Sequence, residues 1–162
     1  MDKGSRDFFE LKGKVAFLPG GYGDLGRAIA RSLAERGARV VVAGRSLAKG
    51  QALAAEISDA GGKGSAVALD AMSAGEIPKA VDAVVERYGA VDILVNCVGI
   101  QREQPILEVT EEAFDEVYRS NLKAAMFLAQ AVAKHQVAAG RGGKQVHLLS
   151  VRSMLGIRGR GY

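Results

Sequence analysis

The chain of 162 residues contains a single cysteine, Cys97, and no apolar stretch that approaches the length of a membrane span. One cysteine excludes an internal disulfide and is typical of proteins in a reducing cytoplasm. The polar segment 1–14 lacks the apolar core of a signal peptide. We therefore expect a cytoplasmic protein without a membrane partner, and the length predicts one domain over residues 1–162.

Acidic residues are missing from the last part of the chain. Residues 140–162 contain five basic side chains and no acidic one, so the net charge of +4 leaves −1 for the other residues. A basic tail can indicate nucleic-acid binding. This tail is short, has no interleaved aromatic residues and surrounds a predicted strand. We therefore expect no nucleic-acid partner, and a solvated loop or one that faces an anionic substrate or cofactor.

Short apolar runs are the predicted strands, and helical patterns separate them. The runs are mostly continuous, as strands are when helices cover both faces of a parallel sheet. The five runs are 15–18, 40–43, 66–69, 91–95 and 146–149, the last interrupted by His147. This alternation predicts an α/β fold, a Rossmann-like doubly wound parallel sheet of five strands with flanking helices.

Helical spacing is present in four segments: from Leu25 to Leu33, from 46 to 60, from Ile77 to Tyr88, and from Glu111 to about Ala139. Gly37, Gly61 and Gly89 follow the first three segments, where C-terminal caps belong. Thr110 is the expected N-cap of the long fourth helix.

A glycine-rich turn separates the first strand from the first helix. Gly21, Gly23 and Gly26 satisfy the pattern G-x-G-x-x-G, with Tyr22, Asp24 and Leu25 between them and Gly20 before them. Glycines permit a tight turn and a close approach of the backbone to a pyrophosphate, which a helix N-terminus attracts. The alternative is a structural turn without a ligand. We predict a dinucleotide site in this turn, where the Asp24 carboxylate is repulsive unless it points outward.

The second predicted strand leads into Arg45, and no acidic residue is present there to bind a ribose diol. A guanidinium is well suited to a ribose 2′-phosphate. This favours NADP over NAD as the cofactor. The alternative is a solvated arginine at the start of a helix.

These motifs, in this order, resemble the short-chain dehydrogenase/reductase family, and the resemblance covers almost the whole chain. It implies that Asp70, after the third strand, contacts adenine. It also implies cofactor contacts for Asn96, Val98 and Gly99, because the segment Asn96-Cys97-Val98-Gly99 matches the Asn-Asn-Ala-Gly motif of the family.

Two catalytic positions are implied by the same resemblance. Asn121 matches the asparagine of the catalytic tetrad, which holds a water that links to the active-site lysine. It shares a predicted helix stripe with Phe114, Tyr118 and Leu128, so we expect it to face inward, where a core asparagine satisfied by backbone is the alternative. Ser150 matches the catalytic serine, which stabilises the substrate carbonyl or alcohol, and Ser153 is a competing position.

Several positions depart from the family pattern. Pro19 replaces the usual threonine and removes a backbone donor, and Asp24 replaces the middle glycine of the turn. The spacing of Gly20, Gly23 and Gly26 also fits extended and atypical members. Cys97-Val98 replaces Asn-Ala, and we expect Cys97 to be a buried small hydrophobe.

The Tyr-x-x-x-Lys signature of the family is absent from the chain. Tyr162 is either the catalytic tyrosine or, as we prefer, a loop tyrosine that precedes it. We therefore expect the N-terminal two-thirds of such an enzyme, inactive as this chain, with exposed apolar surface where the last strands are missing. The resemblance implies a homo-oligomer for the full-length form.

The leading functional hypothesis is an NADP-preferring oxidoreductase that interconverts an alcohol and a ketone of a small-molecule substrate by hydride transfer. Segments 101–105 and 150–153 are similar to those of gluconate 5-dehydrogenases, with Arg102 and Arg152 as carboxylate ligands or, as we favour, surface arginines. The 3-oxoacyl carrier-protein reductases are also similar. Alternatives are a non-catalytic nucleotide-binding or interaction module and an unstable fragment. No metal site is predicted.

Overall fold

The computed structural model describes residues 8–151 and 154. The elements, in chain order, are β1 (Val15–Pro19), α1 (Asp24–Glu35), β2 (Arg39–Gly44), α2 (Leu47–Asp59), β3 (Lys63–Ala68), α3 (Glu76–Tyr88), β4 (Ile93–Asn96), a 3₁₀ turn (Ile106–Glu108), α4 (Glu111–Tyr118), a π-helical segment (Arg119–Lys123), α5 (Ala124–Ala138) and β5 (Lys144–His147). The five strands form one parallel sheet, as the sequence predicts, and their order in it is β3-β2-β1-β4-β5.

Two apolar layers cover the two faces of the sheet. Val15 and Phe17 of β1 point into a layer built with α3 and α5, whereas Ala16 and Leu18 point into a layer built with α1 and α2. Because successive side chains of a strand alternate between the two faces, a continuous apolar run is required to fill both layers. The fold is therefore the doubly wound parallel sheet that the sequence predicts.

The helix ends follow local chemistry. The Ser46 side chain accepts a hydrogen bond from the Lys49 N–H at 3.3 Å, and Thr110 accepts from the Ala113 N–H at 3.2 Å. Gly89 ends α3 with a left-handed φ of +82°. The predicted N-cap at Thr110 and the predicted glycine end at Gly89 are thus confirmed.

Three details of the elements differ from the sequence-based expectation. Strand β3 is Lys63–Ala68 and β5 is Lys144–His147, each displaced toward the N-terminus of the predicted run. The predicted helix 111–139 is interrupted by the π-helical segment Arg119–Lys123. A wider helical turn shifts the side-chain register, so a stripe drawn at regular helical spacing through this segment fails.

The buried face of α1 also differs from the expectation. Leu25, which was expected on the inward stripe, is 69% exposed, and Gly26, Ala30 and Ala34 are buried instead. Small residues on this face allow the helix to pack closely against β1 and the turn that precedes it. None of the helices in the described part of the chain is both long and apolar enough to span a bilayer.

Candidate functional site

The turn after β1 is held by glycines that have no room for a side chain. Gly20 has a φ of +73°, and a Cβ atom there would lie 2.7 Å from the carbonyl carbon of Cys97. A Cβ on Gly21 would lie 2.8 Å from the Leu18 carbonyl oxygen, and one on Gly26 would lie 2.7 Å from the Gly20 carbonyl oxygen. The fold itself therefore requires these glycines, whether or not a ligand binds.

Gly23 is the glycine of the turn that packing does not explain. Its φ of −70° and ψ of 170° suit any residue. A Cβ atom there would meet only the Gly20 carbonyl oxygen, at the ordinary contact distance of 3.5 Å. Gly23 lines a cleft, so the space over its Cα atom is open to a bound group.

Asp24 and Leu25 lie outside the lining of this cleft, and both are exposed. Asp24 is the first residue of α1, where a carboxylate complements the positive end of the helix dipole. Its exposure accounts for the tolerance of an acidic residue at a position where the family pattern has glycine.

Where β1 meets β4, the Cys97 thiol replaces the backbone hydrogen-bond donor that Pro19 lacks. The Cys97 N–H donates to the Pro19 carbonyl at 2.9 Å. In a parallel ladder, the residue that accepts this bond would itself donate to the Val95 carbonyl, which proline cannot do. The Cys97 thiol donates to that carbonyl instead, with an Sγ–O distance of 3.8 Å. Burial raises the pKa of the thiol to about 11, so the donor proton is retained at neutral pH.

Tyr22 connects the glycine turn to the end of β2. Its hydroxyl accepts a hydrogen bond from the Ser46 N–H at 3.0 Å. Its ring lies against Gly44, where an added Cβ would be 2.5–2.7 Å from ring and hydroxyl atoms. Arg45, between these two contacts, is exposed and lines the cleft.

Asp70 lies two residues beyond the end of β3 and lines the same cleft. Its Oδ1 accepts from the Met72 N–H at 3.0 Å, and its own N–H donates to Glu76 at 3.1 Å. The side chain therefore fixes the turn that carries it.

Asn96 is buried behind the cleft and positions the loop that forms one wall. Its Oδ1 accepts from the Val98 N–H at 3.0 Å, and its Nδ2 is 3.4 Å from Nδ1 of His147 on β5. The polar interruption of the fifth strand thus has a partner. Val98 and Gly99 follow on the cleft lining, whereas Asn96 does not contact the open space.

Asn121 fixes the far end of that loop. Its amide Nδ2 donates to the Ile100 carbonyl, and its Oδ1 accepts from the Ile100 N–H, both at 2.9 Å. The expectation of a buried, inward-facing side chain was wrong, because Asn121 lies in the π-helical segment and is exposed. Ser120 is the buried residue there, and it lines the cleft.

Ser150 is exposed beyond the end of β5 and does not line the cleft. Ser153, Arg152 and Tyr162 lie outside the described residues. Arg102 forms a bidentate ion pair with Glu116, with N–O distances of 2.7 and 2.8 Å, so it anchors the loop after β4 to α4.

The cleft lies at the carboxyl ends of β1, β2, β3 and β4 and encloses about 230 Å³. It brings together seven of the residues that the sequence predicts to bind the cofactor: Gly20, Tyr22, Gly23, Arg45, Asp70, Val98 and Gly99. Its lining also includes neighbours for which the sequence predicted no cofactor contact: Pro19, Ala43, Gly44, Leu69, Ala71, Met72, Cys97, Ile100 and Ser120. Most of these flank predicted residues at strand ends, which is the signal that could have found them.

An open crevice at the point where strand order reverses, between β1 and β4, is where doubly wound sheets bind dinucleotides. The open Cα of Gly23 and the cationic Arg45 at the β2 end fit the phosphates of such a group. The described residues contain no group of three or more His, Cys, Asp and Glu side chains suited to a metal ion.

The fold and this crevice define a protein of the dinucleotide-binding α/β class. Residues 14–161 match the family model for short chain dehydrogenase, and the chain belongs to that family.

Relatives support the assignment. Sorbitol dehydrogenase of Cereibacter sphaeroides is 38% identical over 86% of this chain and 54% of its own length. Gluconate 5-dehydrogenase of Gluconobacter oxydans is 34% identical over 92% of this chain and 58% of its own. The crystal structure of a gluconate 5-dehydrogenase from Burkholderia cenocepacia with NADP and tartrate superposes with a TM-score of 0.88 at 35% identity, over 94% of this chain and 59% of that one. The chain thus spans little more than half the length of these proteins.

Proposed function

We propose that the cleft binds NADP, with NAD as the weaker ligand, and that the whole protein is an oxidoreductase that interconverts an alcohol and a ketone. The observation that carries the proposal is the cleft itself. It combines an open glycine position at Gly23 with the cation of Arg45, which has no ion-pair partner among the described residues, on the rim where parallel sheets of this type bind nucleotides.

Different residues of the chain would bind different chemical groups of the cofactor. The turn 20–26 would take the pyrophosphate, Arg45 the ribose 2′-phosphate, and Asp70 the adenine. Asn96 and Asn121 would act as positioning residues, because they hold the two ends of the loop that carries Val98 and Gly99. The bound cofactor would supply the hydride acceptor or donor.

The chemical step needs a proton-transfer group as well as the hydride. Ser150 and Asn121 are the proposed catalytic positions, by resemblance to the family. No tyrosine in the 162 residues has a lysine four positions later. We therefore propose that this polypeptide binds cofactor and is inactive in turnover as it stands.

For the substrate we propose a polyol or sugar acid, in keeping with the relatives named sorbitol dehydrogenase and gluconate 5-dehydrogenase. The pairing of Arg102 with Glu116 supports a structural use of that arginine rather than a free carboxylate ligand.

A non-catalytic nucleotide-binding module is the second candidate. The cleft is built by residues 19–120, whereas the proton-transfer signature is absent from the sequence. Both candidates predict cofactor binding without turnover by these residues, so the coding sequence that follows Tyr162 is the observation that distinguishes them. A Tyr-x-x-x-Lys segment encoded there would favour the oxidoreductase, and its absence would favour the module.

The test is calorimetric titration of the chain with NADPH and, separately, with NADH. We expect saturable binding that is more than about tenfold tighter for NADPH, because a charge-assisted hydrogen bond contributes about 1.5–3 kcal/mol. Arg45→Gln should weaken NADPH binding by about tenfold and leave NADH binding unchanged.

Arg87→Gln is the matched control, because Arg87 lies near the C-terminal end of α3, far from the cleft lining. A folded chain that binds neither dinucleotide contradicts the proposed function. Equal losses of both ligands in Arg45→Gln contradict the role of Arg45 in reading the phosphate.

A further inference from the structure

Tyr22 occupies a fixed position beside Arg45. Its ring fills the space that a side chain on Gly44 would need, and it also approaches Gly50 of α2, where an added Cβ would be 4.0 Å from the ring. The ring packs on the apolar layer formed with α1 and α2. Glycines at positions 44 and 50 therefore leave room for an aromatic ring to lie across the end of β2.

The hydroxyl of Tyr22 has an unused hydrogen. A phenol can accept one hydrogen bond and donate another. The Tyr22 oxygen accepts from the Ser46 N–H at 3.0 Å, and no acceptor for its own hydrogen is present among residues 8–151 and 154. A hydroxyl that accepts from a peptide N–H is polarised as a donor.

Arg45 likewise carries hydrogen-bond donors that lack an acceptor among the described residues. Its guanidinium has no hydrogen-bond or ion-pair partner in the described part of the chain, and both residues line the cleft. The backbone links them directly, since the Tyr22 hydroxyl is bonded to the peptide N–H that follows Arg45. Donors without acceptors, one of them charged, call for an anionic ligand.

We infer that the Tyr22 hydroxyl donates a hydrogen bond to the ribose 2′-phosphate of NADP beside Arg45, and so makes Tyr22 a specificity-determining residue. This inference rests on the proposed cofactor site and names a second reader of the phosphate within it. A phosphomonoester offers several strong acceptor oxygens, so it can accept from the phenol and the guanidinium together. A ribose 2′-hydroxyl offers a single neutral oxygen and gains less from the pair.

If Tyr22 had a purely structural role, removal of its hydroxyl would not change the ratio of NADPH affinity to NADH affinity. The ring is held by Gly44 and the apolar layer, so a phenylalanine would keep its place and continue to cover the Ser46 N–H. The phosphate would then lose the phenol donor without gaining the peptide donor behind it.

The experiment is calorimetric titration of Tyr22→Phe with NADPH and with NADH, beside the unaltered chain. We expect NADPH affinity to fall about tenfold and NADH affinity to stay within about twofold, with a slightly lower melting temperature because the Ser46 N–H loses its acceptor. Tyr88→Phe is the matched control, since Tyr88 stacks with Arg39 and Arg87 away from the cleft, and both affinities should be unaltered.

Unchanged or tighter NADPH binding by a folded Tyr22→Phe chain overturns the inference, as does an equal loss for both dinucleotides. If the unaltered chain binds neither dinucleotide, the proposed function fails and takes the inference with it. If Tyr22→Phe does not fold, the test becomes an NMR titration of the unaltered chain that follows the backbone amide resonance of Ser46. That resonance should shift on saturation with NADPH and not with NADH, and the same shift with both contradicts the inference.

Discussion

At the scale of single residues, the glycine turn separates positions required by the fold from one that is free for a ligand. Gly23→Ala should therefore leave the melting temperature unchanged, since its added methyl group has room and its backbone suits alanine. The same methyl group would enter the cleft and should weaken NADPH binding by tenfold or more. Thermal melting and calorimetric titration of one sample measure both effects.

Gly26→Ala provides the contrast to that prediction. A Cβ atom at position 26 would lie 2.7 Å from the Gly20 carbonyl oxygen, so this change should lower the melting temperature. Retained NADPH affinity in Gly23→Ala would show that no ligand approaches the turn closely.

Pro19 and Cys97 give a second prediction at this scale. Cys97→Ala should cost about 1 kcal/mol of unfolding free energy, because the Val95 carbonyl loses its donor. In a Pro19→Ala background, the peptide N–H returns and the cost of Cys97→Ala should be smaller. A double-mutant cycle by urea denaturation measures the coupling. Additive effects would mean that the thiol does not replace the missing N–H.

Single-residue roles were only partly predictable from the sequence. Arg45 could be assigned to the cleft because it follows a predicted strand, and Asp70 could be assigned to it through the resemblance to the family. The roles of Tyr22 and Cys97 depend on contacts with Ser46 and Val95. Such contacts follow from the exact approach of two chain segments, which periodicity does not specify.

At the scale of secondary-structure elements, α1 and α2 are joined at their surfaces by a charged cluster. Arg27 binds both oxygens of Glu56 at 2.7 and 2.8 Å, and Arg31 binds one of them at 2.7 Å. Hydrogen bonds from Arg31 and then Arg27 lower the pKa of Glu56 below its ordinary value of 4.5. The Glu56 carboxylate therefore contributes its full stabilisation at pH values above the ordinary pKa of 4.5. That contribution is lost as the pH falls through the lowered pKa of the folded state.

Glu56→Gln should accordingly lower the melting temperature slightly at pH 7 and make its decline below pH 4.5 shallower. Both effects should be small, because the group is exposed and solvent screens it. Melting curves between neutral and acidic pH measure the difference, with Glu35→Gln on α1 as the matched control. Parallel pH profiles for Glu56→Gln and the unaltered chain would contradict the assignment.

The order and type of the elements followed from the sequence, including the N-cap at Thr110 and the glycine end at Gly89. The break between α4 and α5 did not. Every residue of segment 119–123 is compatible with a regular helix, and the π-helical turn is accompanied by the clamp of Asn121 on Ile100. A contact between residues 21 positions apart in the sequence thus accompanies a local conformation that periodicity does not predict.

At the scale of the whole molecule, α4 and α5 present an apolar surface to solvent. Four large side chains along one side of these helices are each about half exposed: Phe114, Tyr118, Leu122 and Met126. Phe114 and Tyr118 stack with ring centroids 6.2 Å apart. A contiguous patch of this kind marks an association surface, and we propose that the full protein forms a homo-oligomer through it.

Met126→Glu should shift the chain toward the monomer, because a carboxylate would be buried without a partner in the interface. Sedimentation velocity over a range of concentrations measures the change, and Lys134→Glu, an exposed position on α5, controls for the added negative charge. If the unaltered chain sediments as an oligomer, identical sedimentation of Met126→Glu would exclude this surface as the contact.

The carboxyl ends and the amino ends of the parallel strands form two opposite rims of the sheet, and the two rims have different roles. The carboxyl rim carries the cleft. The opposite rim carries Asp92, a buried carboxylate that accepts from the Val15 N–H and the Arg141 guanidinium, both at 2.9 Å, and so joins the beginnings of β1, β4 and β5. The strands lie between the two sets of residues. Substitutions on the carboxyl rim can therefore change the cleft without altering the contacts of Asp92, and a fluorophore attached in loop 140–143 would leave the binding face undisturbed.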